Sequence, residues 1–429
     1  MQIIKYPQKT DWTRILARPA IDHSSLLQKV KAVMGEVKQN GDDAVKKFTL
    51  EFDGVNLTDT LVSEKEIKES GALLSAELKT AIRQAAANIE LFHQQQLSTV
   101  AVIETMPGIK CWRKTVGIEK VGLYIPGGSA PLFSTILMLG IPAKIAGCRE
   151  VILCSPPDKH GNLPAAILYA AQLTGISSIF KIGGVQAIAA MAYGTARVPQ
   201  VYKIFGPGNQ YVTCAKQLVQ LEGTAIDMPA GPSEVCVLAD STANPAFVAA
   251  DLLSQAEHGT DSQVILVTTS ADLISAVQIE IQKQLNQLSR KPIAEKALEN
   301  SRLILLKNME EAIELVNRYS AEHLIIACEN DEILAEKIMN AGSVFLGSYS
   351  PESAGDYATG TNHTLPTNGF AKAYSGVSVD SFVKKITYQQ LTKEGLGNIG
   401  NTVVQMAKAE GLDAHAKAVS IRLDSFENG

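Results

Sequence analysis

The chain has 429 residues, 46% of them apolar and 19% charged, which gives room for roughly three domains with buried cores and excludes a disordered or fibrous protein. A formal net charge of −5 leaves no basic footprint for nucleic acid, so small-molecule chemistry is the expectation. Six cysteines, none in a C-x-x-C pair, exclude a zinc ribbon and a disulfide framework and fit a reducing cytosol.

The N-terminus, Met1-Gln-Ile-Ile-Lys-Tyr-Pro7, lacks the charged-then-apolar layout of an export signal, and Pro142 and Lys144 interrupt the apolar run Leu137 to Ala146. Neither export nor membrane insertion is expected. From Ser24 the residues Leu27, Val30, Val33, Met34 and Val37 recur at helical spacing until Asn40-Gly41 ends the pattern; a second stretch follows through Val45 and Phe48, and a longer one spans about Ala76 to Gln96. The chain is thus mostly helical up to Gly108.

Beyond Gly108, short apolar runs alternate with helix-length stretches, as in βαβ units of a parallel sheet. The predicted strands are Val121–Ile125, Val151–Cys154, Ile179–Ile182 and Val201–Ile204, then Val235–Leu238, Val264–Val267, Leu303–Leu306, Leu324–Ala327 and Val344–Leu346. Two α/β layers follow one another. Gly347 to about Ser381 is a polar stretch too long for an idle connection, and helical spacing returns from about Tyr388 through Leu391, Val403 and Met406. A tail that small is expected to dock on another domain or subunit.

Three glycine-rich turns, Tyr124-Ile-Pro-Gly-Gly-Ser129, Ile182-Gly-Gly-Val-Gln186 and Phe205-Gly-Pro-Gly-Asn209, each follow a predicted strand, where bare amides and helix N-termini accept phosphates. No G-x-G-x-x-G occurs, and the glycines could serve tight turns alone. In Ser254-Gln-Ala-Glu-His-Gly259, Gln255 and His258 share one helix face three residues apart and could ligate a metal with help from Asp356 and His415. Gly259 also suits a helix end, and a histidine in a last turn is favoured by the helix dipole alone. Glu322 and His323 open an apolar strand, an acid beside an imidazole suited to base work near neutrality or merely to ending the run. Gly355 to His363 adds one carboxylate and one imidazole in a loop, whereas His93 and His160 sit in polar surroundings expected to be solvated.

Taken together, Val121-Gly-Leu-Tyr-Ile-Pro-Gly-Gly-Ser129, Gly231-Pro-Ser-Glu234, Ser254-Gln-Ala-Glu-His-Gly259, Ala321-Glu-His-Leu324 and Gly355-Asp-Tyr-Ala-Thr-Gly-Thr-Asn-His363 resemble the histidinol dehydrogenase family through nearly the whole chain. The resemblance implies a cytoplasmic, zinc-dependent enzyme that oxidises L-histidinol to L-histidine through L-histidinaldehyde with two NAD⁺. Carried over by position, Gln255, His258, Asp356 and His415 would bind zinc, and Glu322 and His323 would be the acid-base pair. Ser233, His363 and Glu410 would help those ligands and His323 to hold substrate, and Tyr124, Gln186 and Asn209 would contact NAD. The implied fold is α/β, with two Rossmann-like parallel-sheet domains, a helical N-terminal segment and a C-terminal helical tail, in an intertwined homodimer whose tail completes the partner's site.

The expected division is an N-terminal segment 1–23, an α/β domain of 24–107 plus 233–373 carrying most of the metal and catalytic site, an α/β domain of 108–232 carrying the nucleotide site, and a tail of 374–429. A mixed nitrogen and oxygen donor set leaves zinc open to substrate, unlike a closed Cys₄ site. No cysteine has an obvious base beside it in sequence, so a water route for the aldehyde step is preferred over a covalent thiohemiacetal. A zinc-dependent amide hydrolase and a non-catalytic nucleotide-binding protein are the competing readings.

Overall fold

The computed structural model describes residues 1–19, 23–97, 99–127 and 131–427. Gly128 and Ser129, which close the first glycine turn, lie outside the described residues. Two compact units are present, one of 1–96 and 118–382 and the other of 97–117 and 383–429.

The larger unit holds two parallel sheets. In the first, the strands run Gln2–Lys5, Arg302–Leu305, Gln263–Thr268, Glu234–Ala239, His323–Ala327 and Ser343–Leu346 in spatial order. Alternate residues of these strands face opposite ways, so Val235, Val237, Leu266 and Ile325 pack under helices Pro245–Ala256 and Ala271–Leu285 while Cys236, Leu238, Ile265 and Ile326 pack under Met309–Tyr319. Trp12, Ile15 and Leu16 complete that second face, and Gln2–Lys5 is an edge strand. The N-terminal segment is therefore an integral part of this layer, pinned by a fully buried Trp12.

The second sheet runs Ser178–Lys181, Glu150–Ser155, Lys120–Tyr124, Lys203–Phe205 and Ala225–Ile226. All nine predicted strands are present, shifted by a residue or two at their ends. The helical stretch His23–Asp53 breaks at Gly41, whose φ of 53° takes it out of the helical region where the sequence pattern ends. Its apolar stripe from Leu26 to Phe48 covers one face of the five-stranded sheet, and Ala76–Gln94 sits on the other through Ile82 and Ile89. Residues 24–96 thus pack with the 118–232 layer, not with 233–373 as expected, because their stripes meet Ile188, Ala192 and Val212 on one side and Leu137 and Ile141 on the other.

The smaller unit has an antiparallel sheet in the order Val383–Leu391, Ile109–Gly117 and Val102–Met106, followed by helices Lys393–Ala409 and Asp413–Glu427. The helical reading from Tyr388 is corrected: Tyr388 to Leu391 are strand, with Tyr388 stacked on Trp112. Phe382 belongs to the larger unit, stacked on Phe205 in the core, so the tail begins later than 374 and incorporates 97–117. Among the described residues no helix is long and apolar enough to cross a membrane.

His160 is exposed as expected, but His93 is fully buried, with Nδ1 2.8 Å from the Ile89 carbonyl oxygen and Nε2 3.5 Å from the Asn362 amide. Burial lowers its pKa and outweighs the Ile89 contact, so the native state holds it neutral. Its contribution to stability is full above about pH 6.5, the unfolded value, and is lost as pH falls toward the lowered native value. In urea titrations across this range, His93→Gln should flatten the acid-side loss of stability; an unchanged pH slope would contradict this.

Candidate active site

In a parallel sheet the helices return antiparallel to the strands, so their last turns lie beside the strands' first residues. Helix Pro245–Ala256 follows strand Glu234–Ala239 in this way and brings Gln255 to the amino edge of the six-stranded sheet, where His323 and Glu234 open adjacent strands. Chain order reverses between those two strands, because Gln263–Thr268 flanks Glu234–Ala239 on one side and His323–Ala327 on the other. The cluster forms at this reversal.

His323 Nε2 lies 3.1 Å from Asp356 Oδ1, and its Nδ1 lies 3.3 Å from both the Gln255 amide nitrogen and the Glu234 carbonyl oxygen. Glu322 Oε2 accepts the Glu234 backbone N–H at 2.8 Å and is 3.7 Å from His323 Nδ1. Ordinarily, neighbouring strand residues face apart. Glu322 precedes the strand proper, which lets its carboxylate come round beside the imidazole. Gln255, Glu322, His323 and Asp356 are all buried.

Burial works against a charged His323, but the carboxylates of Glu322 and Asp356 overcome it and raise its pKa well above the ordinary value. Burial likewise opposes the Asp356 carboxylate, yet the hydrogen bond and charge of His323, with contributions from His363 and His258, hold it below its usual range. His258 is exposed just past the helix end, its Nδ1 3.4 Å from Ser233 Oγ. The predicted residues Gln255, His258, Ser233, Glu322, His323, Asp356 and His363 therefore fall in one neighbourhood.

The Gln255 amide decides what that neighbourhood can hold. Its nitrogen meets His323, and its oxygen is completely buried with no partner among the described residues. An orphaned amide oxygen beside a carboxylate and an imidazole is a donor set suited to a cation. Among the described residues no three His, Cys, Asp or Glu side chains make a metal site by themselves. The predicted set does not require that, since a Gln supplies one ligand and His415 lies in the smaller unit, exposed in the first turn of Asp413–Glu427. Glu410, also exposed, ends the preceding helix.

Several neighbours went unnoticed in the sequence. Arg18 makes a two-pronged ion pair with Glu234, donates 2.8 Å to the Tyr319 carbonyl and lies 4.2 Å from the Tyr319 ring centroid. Burial raises the Glu234 pKa even against Arg18, so the pair is held under a desolvation load. Glu352, pushed up to about 8 mainly by burial, accepts 2.6 Å from Ser254 Oγ. An acid heading an apolar run, Glu234 before Val235 to Leu238, was the available signal for the first; Arg18 and Glu352 carried none.

His363 connects this cluster to the other sheet. Its Nδ1 is 2.7 Å from the Asp356 carbonyl oxygen and its Nε2 3.0 Å from Thr135 Oγ1, in the first turn of helix Phe133–Ile145. That helix follows strand Lys120–Tyr124 and the first glycine turn. At the carboxyl ends of the same sheet lies a cavity of 1260 Å³ lined by Tyr124, Gly127, Gly184 and Asn209. Helices Gly184–Tyr193 and Gln210–Leu221 begin at its wall, the second capped by Asn209 Oδ1 on the Tyr211 and Val212 amides. Gln186, also predicted, is not on the wall; it is fully buried beside Gly184, and neither polar atom of its amide has a partner among the described residues. Tyr124 Oη accepts the Gly184 N–H at 3.1 Å. Gly206 has φ 121°, and a side chain there would run into the Tyr124 carbonyl, so only glycine keeps this turn against the strand end.

All six cysteines are free thiols. Burial pushes Cys236 and Cys328 up to about 12 and Cys148 to about 11, and raises Cys154 and Cys214 as well. None of these five is poised as a thiolate nucleophile.

Replacing Arg18 by Met should destabilise the protein by about 3–5 kcal/mol in denaturant titrations, since it strands a buried carboxylate. The double variant Arg18→Met/Glu234→Gln should recover part of that loss. Equal losses in the two would show that the ion pair is not what Arg18 supplies.

The family model for histidinol dehydrogenase matches residues 16–423. The histidinol dehydrogenase of Bacteroides thetaiotaomicron is 61% identical over 427 residues, covering 100% of both chains. That of Bacteroides fragilis strain YCH46 is 59% identical over 99% of this chain and 100% of its own. The crystal structure of histidinol dehydrogenase from Elizabethkingia anophelis superposes with a TM-score of 0.97 at 55% identity, covering 100% of this chain and 99% of that one.

Proposed function

The chain belongs to the histidinol dehydrogenase family, oxidoreductases of histidine biosynthesis, and on that footing we propose that it converts L-histidinol to L-histidine in the cytoplasm by two successive hydride transfers to NAD⁺. The observation that carries this reading is the buried Gln255, Glu322, His323 and Asp356 cluster, joined through His363 to the helix that follows the first glycine turn. An acid-base pair at one sheet and a phosphate-friendly cavity at the other are what a dehydrogenase has to bring together.

Gln255, His258 and Asp356, with His415, would hold one zinc, which when bound supplies a Lewis-acid anchor for the imidazole and amine nitrogens of the substrate. The orphaned Gln255 oxygen supports this assignment. Ser233, His363 and Glu410 would help to seat the substrate; Tyr124, Gln186 and Asn209 would serve the cofactor. His415 and Glu410 would come from a second copy of the chain. In support, the smaller unit leaves Ile103, Ile386, Met406, Leu412 and Ile421 exposed, an apolar content that fits a buried contact in a homodimer.

His323 takes the hydroxyl proton as the first hydride leaves for NAD⁺, giving histidinaldehyde. Glu322, 3.7 Å from His323 Nδ1, stabilises the imidazolium as it forms. In the second step Glu322 removes a proton from water as its oxygen adds to the aldehyde carbon, and protonated His323 returns its proton to the aldehyde oxygen, which frees the imidazole. The hydrate then loses hydride to a second NAD⁺ and one hydroxyl proton to His323, yielding the carboxylic acid, which ionises to the carboxylate as the protons held by Glu322 and His323 pass to solvent. The raised thiols favour this route over a covalent one.

Glu322→Gln should slow aldehyde oxidation by about a hundredfold or more while slowing alcohol oxidation less, measured by offering histidinol and histidinaldehyde separately. Equal loss in both half-reactions would contradict the role given to Glu322. Mixing His258→Ala chains with His415→Ala chains should restore activity, because one site of each mixed dimer then carries neither lesion; mixed dimers without activity would place each site within one chain.

A further inference from the structure

Asp53 is the last residue of the helical stretch His23–Asp53 and lines the same cavity as the glycine turns. Its Oδ2 is sealed from solvent with no partner among the described residues, and the residue is only half-buried, which leaves the other carboxylate oxygen to meet what the cavity holds. The helix end does not need it: Gly54, at φ 71°, closes the helix through its own N–H to the Leu50 carbonyl oxygen at 3.1 Å. A carboxylate at that position faces the negative end of the helix dipole and gives up water for no compensating bond, so it burdens the fold. Burial pushes its pKa up to about 6, which leaves it ionised at neutral pH.

An ionised carboxylate only accepts hydrogen bonds, so its ligand must donate. Phosphates are served elsewhere in the same cavity, at the starts of Gly184–Tyr193 and Gln210–Leu221. The other donors of a dinucleotide are the adenine amine, the nicotinamide amide and the ribose hydroxyls, and of these only a ribose diol offers two adjacent O–H groups to one carboxylate. We propose that Asp53 accepts a hydrogen bond from a ribose hydroxyl of the bound nucleotide, and that its charge makes the cavity reject a nucleotide carrying a 2′-phosphate. This deepens the reading of the cavity as an NAD site and rests on it. Acidic residues select the unphosphorylated ribose in the same manner in other dinucleotide folds, though there they sit at the end of a strand and not of a helix.

The test is calorimetric titration of NAD⁺ and NADP⁺ into the zinc-loaded enzyme, parent against Asp53→Asn and Asp53→Ala, with melting temperatures of all three. Both variants should bind NAD⁺ about ten- to a hundredfold more weakly, the range for a hydrogen bond to a charged group. NADP⁺ should bind them no worse than it binds the parent, so the preference for NAD⁺ shrinks. Their melting temperatures without nucleotide should equal or exceed the parent's. Parental affinity for NAD⁺ and an unchanged preference in Asp53→Asn would overturn the proposal, and a lowered melting temperature would make the carboxylate structural. A parent enzyme that binds no NAD⁺ would instead overturn the reading of the cavity itself.

Discussion

The Glu234 backbone amide, donating to the Glu322 carboxylate, is the bond on which the proposed catalytic arrangement turns. It fixes the acid that precedes one strand by means of the main chain of the next, so Glu322 is oriented by sheet register and not by its own rotamer preference. The same residue's carbonyl faces His323 Nδ1, and its side chain is held by Arg18. Strand opening, acid, imidazole and a buried ion pair are thereby one unit. Loosening any part of it lets charge in a low-dielectric pocket find a different partner.

Two parallel sheets serve this unit from opposite ends. In the six-stranded sheet the proposed chemistry sits at the amino edge, because its key amide comes from a helix's last turn and its acid and imidazole from strand beginnings. In the five-stranded sheet the cavity lies at the carboxyl edge, where open α/β sheets ordinarily bind ligands and where helix N-termini point. His363 and Thr135 tie the two edges together. A buried ion pair, Lys216 with Asp227, also donates from Lys216 Nζ to the Gly206 carbonyl and accepts the Gly206 N–H on Asp227, which braces the turn that ends in Asn209. Rigid support of a backbone turn fits a site that recognises phosphate through amides.

Much of this was legible in the amino-acid sequence, for physical reasons that differ between elements. Most of the nine strands read from the sequence are continuous apolar runs, as burial on both faces demands, and such runs stand out against amphipathic helices; Ser343–Leu346, at a sheet edge, is the half-exposed one. Gly41 showed where a helix breaks. What escaped was structure whose pattern depends on distant partners. Val102–Met106, Ile109–Gly117 and Val383–Leu391 mix apolar and polar residues with little full burial, and they are strands because they pair with each other. The helices of 24–96 matched their predicted spans but were assigned to the other sheet, since an apolar stripe does not say which surface it meets. His93 was misread as solvated because its flanking glutamines are polar while its own face of the helix points into the core. Within the site, Glu322, His323 and Gln255 drew attention through local oddity; Arg18 and Glu352 became visible only when folding set them beside Glu234 and Ser254.

One zinc-dependent site is proposed to remove four electrons from an amino alcohol. Its most direct test is a stoichiometric assay in which a limiting amount of L-histidinol is consumed with excess NAD⁺, before and after metal removal and zinc return. Two NADH and one histidine per histidinol are expected, abolished by chelation and restored by zinc. One NADH per histidinol with aldehyde accumulating, or turnover indifferent to the metal, would contradict this.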